Sequence, residues 1–189
     1  MNQKVLFVLI IIGATFGYVT YQSVMLENKF SAYSKLQSNS VIRQLPDITL
    51  PIFNSNEKFN FIEEAKKSQV LVVHFWATWC GPCKTEIDYA KKLKEKFPED
   101  EVMFVYISLD DEVDKDIWRW YIQQNNIEGL HLIAKGGFES QVAQDYNVTG
   151  VPTFYLINRA GRIASNTPKR PSQLGLEQEI QAIVNFPGD

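Results

Sequence analysis

Cysteine is scarce in this chain: Cys80 and Cys83 are the only two in 189 residues, and histidine occurs only as His74 and His131. Structural zinc takes four ligands, commonly including a second thiol pair, so the chain is poor material for a metal centre. Covalent haem attachment would need histidine directly after Cys83, where Lys84 stands. Positive charge is not in excess either. Against 22 Asp and Glu there are 19 Lys and Arg, and the net charge of -3 argues against nucleic acid as the main partner. There is no internal repeat and no sign of a second domain, and the length suits one domain with appendages.

What is present begins with a charge-free run over residues 5–26, preceded by Lys4. A membrane-spanning helix needs ~20 residues, so residues 1–26 read as a signal anchor with Lys4 on the cytoplasmic side and the rest outside. A cleaved signal peptide is the alternative, because the most apolar part, residues 5–12, is short. The small-x-small site Ala32-Tyr33-Ser34 lies beyond Glu27 and Lys29, which is late for cleavage, and no cysteine directly follows the run to carry a lipid. Residues 27–44 are polar, with four serines and no sustained period, and form a juxtamembrane linker. Residues 45–189 form the folded domain.

That domain is organised around residues 70–86, V-L-V-V-H-F-W-A-T-W-C-G-P-C-K-T-E. The run 70–76, rich in β-branched and aromatic residues, has the composition of a strand buried on both faces. From Cys83 onward Ile87, Ala90, Leu93 and Phe97 recur every three or four residues, one apolar stripe of a helix that Pro98 stops. The thiol pair therefore sits where a strand ends and a helix begins. Unpaired N–H groups and the positive end of the helix dipole favour an anion there, so Cys80 is expected to ionise below the ~8.5 of free cysteine and act as nucleophile. Cys83, one turn further in, is expected to be more buried. Two intervening residues let the pair close a disulfide, and Pro82 presets the φ of a helix start. A purely structural bridge over so short a loop contributes little stability, which favours redox cycling.

F-W-A-T-W-C-G-P-C-K resembles the active-site segment of the thioredoxin superfamily, and G-V-P-T at 150–153 resembles that fold's second signature. The N-terminal anchor, Glu86 three residues after the second cysteine, and L-I-N-R-A-G-R-I near the end resemble the membrane-anchored TlpA/ResA type more than cytosolic thioredoxin. The resemblance implies an α/β thioredoxin fold, a central mixed sheet flanked by helices, with an added N-terminal β-hairpin and one preceding transmembrane helix. It also implies that Pro152 is cis and packs beside the cysteines, that it keeps metal off the thiols, and that the Val151 backbone pairs with a substrate chain. Redox chemistry then needs no cofactor beyond the Cys80–Cys83 pair. Copper chaperones of this fold use a wider cysteine spacing with a histidine.

Resolution of a mixed disulfide requires Cys83 to lose its proton, and two bases are candidates. Glu86 lies at i+3 from Cys83 and matches the TlpA/ResA glutamate. His74 stands where cytosolic thioredoxin has a buried aspartate; it is either a base near physiological pH or a hydrogen-bonded core histidine. Trp79 is expected to cover the thiols and, with Gly81, Pro82, Val151 and Pro152, to contact substrate, while Trp76 packs in the core. Lys84 reads as a solvated lysine or as added positive potential.

Elsewhere, residues 46–50 and 57–60 flank Asn54-Ser55-Asn56, a hairpin pattern, and 61–67 a short helix. Strands are expected over 102–109, 130–134, 154–158 and 162–165, with a parallel right-handed crossover between the first two core strands. The helix within 110–126 has more aromatic residues than a narrow stripe can bury. Either these aromatic residues pack on the sheet, or Trp118 or Trp120 is exposed and receives a partner. Phe138, Val142 and Tyr146 mark another helix, Gly161 a bulged hairpin turn, and Ser172 the cap of a last helix ending near Phe186. The sequon Asn147-Val148-Thr149 is a match of three residues and carries no weight.

These features imply an extracytoplasmic, periplasmic or cell-surface, membrane-tethered protein-disulfide reductase. Its expected clients are disulfide-containing proteins, apocytochrome c in cytochrome c biogenesis among them, and its reductant a CcdA- or DsbD-type transmembrane carrier. A disulfide-donating oxidase or isomerase and a non-catalytic binding protein of the same fold stand as alternatives. A peroxidase is disfavoured, because Ala77 stands three before Cys80, where peroxiredoxins carry Thr or Ser.

Overall fold

The computed structural model describes residues 49–52 and 58–186, with Tyr18, Thr20, Ser23, Val24 and Glu27 before them. Two short strands lead in, β1 (Thr49–Pro51) and β2 (Lys58–Asn60), paired antiparallel with Thr49 opposite Asn60. The turn expected at Asn54-Ser55-Asn56 and most of the expected anchor lie outside the described residues. Among the described residues no helix is long and apolar enough to cross a membrane.

Asn60 starts helix α1 (Phe61–Ala65), its Oδ1 accepting from the amides of Ile62 and Glu63 at 2.9 and 3.1 Å. Strand β3 (Val70–Trp76) follows and is buried along its whole length. Then come helix α2 (Gly81–Lys94), strand β4 (Val102–Ser108), helix α3 (Lys115–Gln124), strand β5 (Leu130–Ile133), helix α4 (Gln141–Asp145), strands β6 (Thr153–Asn158) and β7 (Ile163–Ser165), and helix α5 (Leu176–Asn185). The five-stranded sheet has the order β5-β4-β3-β6-β7. β3 pairs parallel with β4 and antiparallel with β6, so the expected mixed sheet is present.

Alternation along β3 builds two cores. Val70, Val72 and Trp76 pack with Ile87, Ala90 and Leu93 of α2, Trp118 and Ile122 of α3, and Ile180 and Ile183 of α5. Leu71, Val73 and Phe75 face the other way, onto Phe61 and Ala65 of α1 and Val142 and Ala143 of α4. Each large apolar side chain so buried stabilises the fold by roughly 1.5–3 kcal/mol relative to exposure. Both cysteines belong to the first core, so the layer that carries the helix also seats the sulfurs.

Two expectations, the end of α2 and the cap of α5, are corrected. α2 ends at Lys94, ahead of Pro98, because Lys96 and Phe97 turn back to the carbonyls of Leu93 and Lys94. The aromatic helix divides its tryptophans, Trp118 at 1% exposure in the core and Trp120 at 59% in solvent. Ser172 does not cap α5. That helix starts behind Gly175, at φ 113°, without a side-chain cap, and the Ser172 hydroxyl is engaged elsewhere. The β6–β7 turn follows expectation, with Gly161 at φ 71° and Asn158 Oδ1 accepting from the amides of Ala160 and Arg162.

Candidate active site

Cys80 is the N-cap of α2 and is disulfide-bonded to Cys83, with Cα atoms 5.3 Å apart. Pro82 occupies the first turn, where its missing N–H costs no helical bond. The Cys83 amide donates to Cys80 Sγ at 3.2 Å. A first-turn N–H aimed at this sulfur is the arrangement that favours a thiolate once the bridge is reduced. Exposure is 4% for Cys80 and 0% for Cys83, so a partner reaches Cys80 first. Beside them Gly81 and Pro82 are exposed, and Trp79 is 61% exposed with its ring 6.4 Å from that of Phe138.

The loop ahead of Cys80 is held from beneath by a residue that the strand pattern did not single out. Asp110, fully buried, accepts from the Thr78 amide at 3.0 Å, from Thr78 Oγ1 at 2.7 Å and from Ser108 Oγ at 2.6 Å. The available signal was an acidic residue directly behind an otherwise apolar strand.

The Val151–Pro152 bond is cis. β3 and β6 pair Phe75 with Thr153, so the proline leaves the sheet level with Trp76, at the end of β3 from which the cysteine loop departs. Val151 packs against the core that contains both cysteines.

Of the two candidate bases, Glu86 is on α2 one turn beyond Cys83 and is 6% exposed. Ser172 holds both of its carboxyl oxygens, the amide donating to Oε2 at 2.9 Å and the hydroxyl to Oε1 at 2.7 Å. His74 is a different case. It lies in a row of rings across the sheet, stacked on Phe154 at 4.1 Å and edge-on to Tyr106 at 5.9 Å, with His131 stacked on the far side of Tyr106 at 5.0 Å. Among the described residues neither ring nitrogen of His74 has a hydrogen-bond partner, which corrects the expectation of a hydrogen-bonded core histidine. Burial, aided by the Arg170 charge, pushes His74 down to about 3, so its ring stays neutral near pH 7 and takes a proton poorly. The Tyr106 ring stands between the two histidines, so they do not converge on one ligand. Among the described residues no group of His, Cys, Asp or Glu is arranged to hold a metal ion. Lys84 lies over the Tyr121 ring, 4.7 Å from its centre, and Tyr121 in turn packs on Trp76.

Comparison with known proteins agrees with this geometry. A family model described as thioredoxin-like matches residues 68–163, a span that contains both cysteines and Pro152. The chain is 25% identical over 181 residues to the thiol-disulfide oxidoreductase ResA of Bacillus thuringiensis subsp. konkukian, covering 96% of this chain and 95% of that protein. It is 31% identical over 155 residues to the thioredoxin-like protein YneN of Bacillus subtilis, covering 81% and 86%. In fold it is similar to a thiol-disulfide oxidoreductase structure from Bacteroides fragilis, with a TM-score of 0.60 at 23% identity over 69% of this chain and 94% of that one. The matched region runs through the same strand, turn and helix that bring the two sulfurs together, and the chain therefore belongs to the thioredoxin-like family, among proteins of the ResA/TlpA type.

Proposed function

We propose that this thiol-disulfide oxidoreductase works as a reductase of protein disulfides, tethered to a membrane by residues 1–26 with its catalytic domain on the extracytoplasmic side. The observation that carries the reading is the Cys80–Cys83 bridge at the N-terminus of α2, with the Cys83 amide directed at Cys80 Sγ and the exposed Trp79 beside it.

In the reducing cycle the Cys80 thiolate attacks one sulfur of a client disulfide, and the other client sulfur leaves as thiolate. Cys83 passes its proton to Glu86 and attacks Cys80 Sγ, closing the bridge and releasing the second client sulfur. Two electrons thus pass to the client, whose two thiolates take up protons from Glu86 and from water in place of those that Cys83 and Cys80 gave up, and the protein is left oxidised. Glu86 is the better base of the two candidates, because it lies one turn from Cys83 while His74 is buried as a neutral ring. Trp79, Gly81 and Pro82 form the docking surface with Val151 and Pro152, whose strand end offers backbone groups to an extended client chain.

Renewal requires a dithiol donor. Outside the cytoplasm that is a CcdA- or DsbD-type transmembrane carrier, and apocytochrome c is one client class that such a path would serve. The charge-free run over 5–26 behind Lys4 supports the tether. External protease that leaves cytoplasmic markers intact should digest the domain in whole cells stripped of their walls; protection of the domain would place it inside. For the chemistry, the full chain should catalyse reduction of insulin by dithiothreitol, and Cys80→Ala should abolish it. Catalysis retained by Cys80→Ala would contradict the reading. A reduction potential at or below that of glutathione supports the reducing direction, and a clearly more oxidising one would reverse it.

A further inference from the structure

We propose that Ser172 is the positioning residue for Glu86, holding its carboxyl group in both protonation states and connecting it to solvent. This rests on the reading of Glu86 as the base that serves Cys83. Both carboxyl oxygens of Glu86 are held by this one residue, across 86 positions of sequence. A backbone N–H is only ever a donor, but a hydroxyl rotates and serves as donor or acceptor. While Glu86 is a carboxylate, Ser172 Oγ–H donates to Oε1. Once Glu86 has taken the proton from Cys83 Sγ, the new O–H donates back to Ser172 Oγ, and the amide keeps its bond to Oε2. The carboxyl group therefore does not have to rotate between receiving the proton and giving it up.

The loop is built to keep Ser172 there. Pro168 and Pro171 fix φ ahead of it, the Arg170 amide donates to Gln173 Oε1 at 2.9 Å, and the Gln173 amide donates to the Arg170 carbonyl at 2.8 Å. Glu86 is buried whereas Ser172 is exposed, so the hydroxyl is the polar contact through which a proton on Glu86 reaches water. Ser172 lies ahead of Gly175, the N-cap of α5, so its hydroxyl is not called on by that helix.

The test separates attack from resolution in the full-length protein. Alkylation of reduced protein by iodoacetamide reports Cys80. Release of glutathione from a preformed Cys80–glutathione mixed disulfide reports the step that Cys83 carries out, and its rate is followed against pH. Misplacing a catalytic group is worth up to ~100-fold in rate, so Ser172→Ala is expected to slow release on the order of tenfold and move its pH profile, with alkylation unchanged. Ser172→Thr, which keeps the hydroxyl, should restore release to within about threefold. The proposal is overturned if Ser172→Ala releases glutathione at the parent rate and with the parent pH profile, or if Ser172→Thr is as slow as Ser172→Ala. Glu86→Gln distinguishes the two levels. Slow release in Glu86→Gln with normal release in Ser172→Ala discards only the role of Ser172, whereas normal release in Glu86→Gln discards the base reading and this inference with it.

Discussion

Asp110 holds Thr78 by its backbone and its side chain at once, with its Oδ1 3.0 Å from the Thr78 amide and 2.7 Å from Oγ1. Through this grip the end of β4 fixes the loop two residues before Cys80, so the nucleophile's position depends on a buried acid that never touches it.

Asp110→Ala leaves the Thr78 amide, its hydroxyl and the Ser108 hydroxyl without their acceptor in the interior. Each buried orphan costs about 1–3 kcal/mol, so with three of them the variant should lose at least about 3 kcal/mol of stability. The shift of the urea unfolding midpoint measures this, and a change below ~0.5 kcal/mol would mean that the loop does not need the contact.

The two histidines make the fold sensitive to acid. Burial lowers His74 to about 3 and His131 to about 4 from 6.5, so between those values the unfolded chain binds more protons than the folded one. Stability from this source is complete above about 6.5 and is lost as pH falls, by up to about 1.4 kcal/mol per pH unit for each ring. His74→Phe, which keeps a ring in the stack with Phe154, should flatten the decline measured by denaturant unfolding between pH 7 and 4.

Trp118 and Trp120 should separate cleanly in the same assay. Trp118→Ala empties a core position and should cost ~3–5 kcal/mol, while Trp120→Ala, exposed, should stay within about 0.5 kcal/mol.

Gly129 has φ 128°, and a Cβ there would lie 2.7 Å from the Phe104 carbonyl oxygen. Gly129→Ala should therefore destabilise by roughly 1–3 kcal/mol, whereas Gly150→Ala, which meets nothing within 4 Å, should be near neutral in thermal unfolding.

The parts of this structure that follow local rules were legible in the sequence. β3 announced itself by a run of β-branched and aromatic residues, α2 by its apolar spacing and by Pro82, and the β6–β7 turn by Gly161. What was not legible depends on where distant segments meet. Trp118 and Trp120 are two helical positions apart, about 200° around the axis, so no single face holds both, and only the neighbours decide which one is buried. Ser172 has the composition of a cap, but Glu86 takes its hydroxyl across the fold. His74 was equally readable as a base and as a core residue. Its stack with Phe154 and Tyr106 inside the sheet is what no spacing rule foretells.

The most direct measurement of the central claim is covalent capture at Cys80. Reduced full-length protein carrying Cys83→Ala is mixed with insulin, and the product is weighed by mass spectrometry before and after dithiothreitol. The account predicts an insulin chain joined to Cys80, stable until reductant is added and absent when Cys80→Ala is also present. No adduct, or an adduct that persists without Cys80, would contradict it.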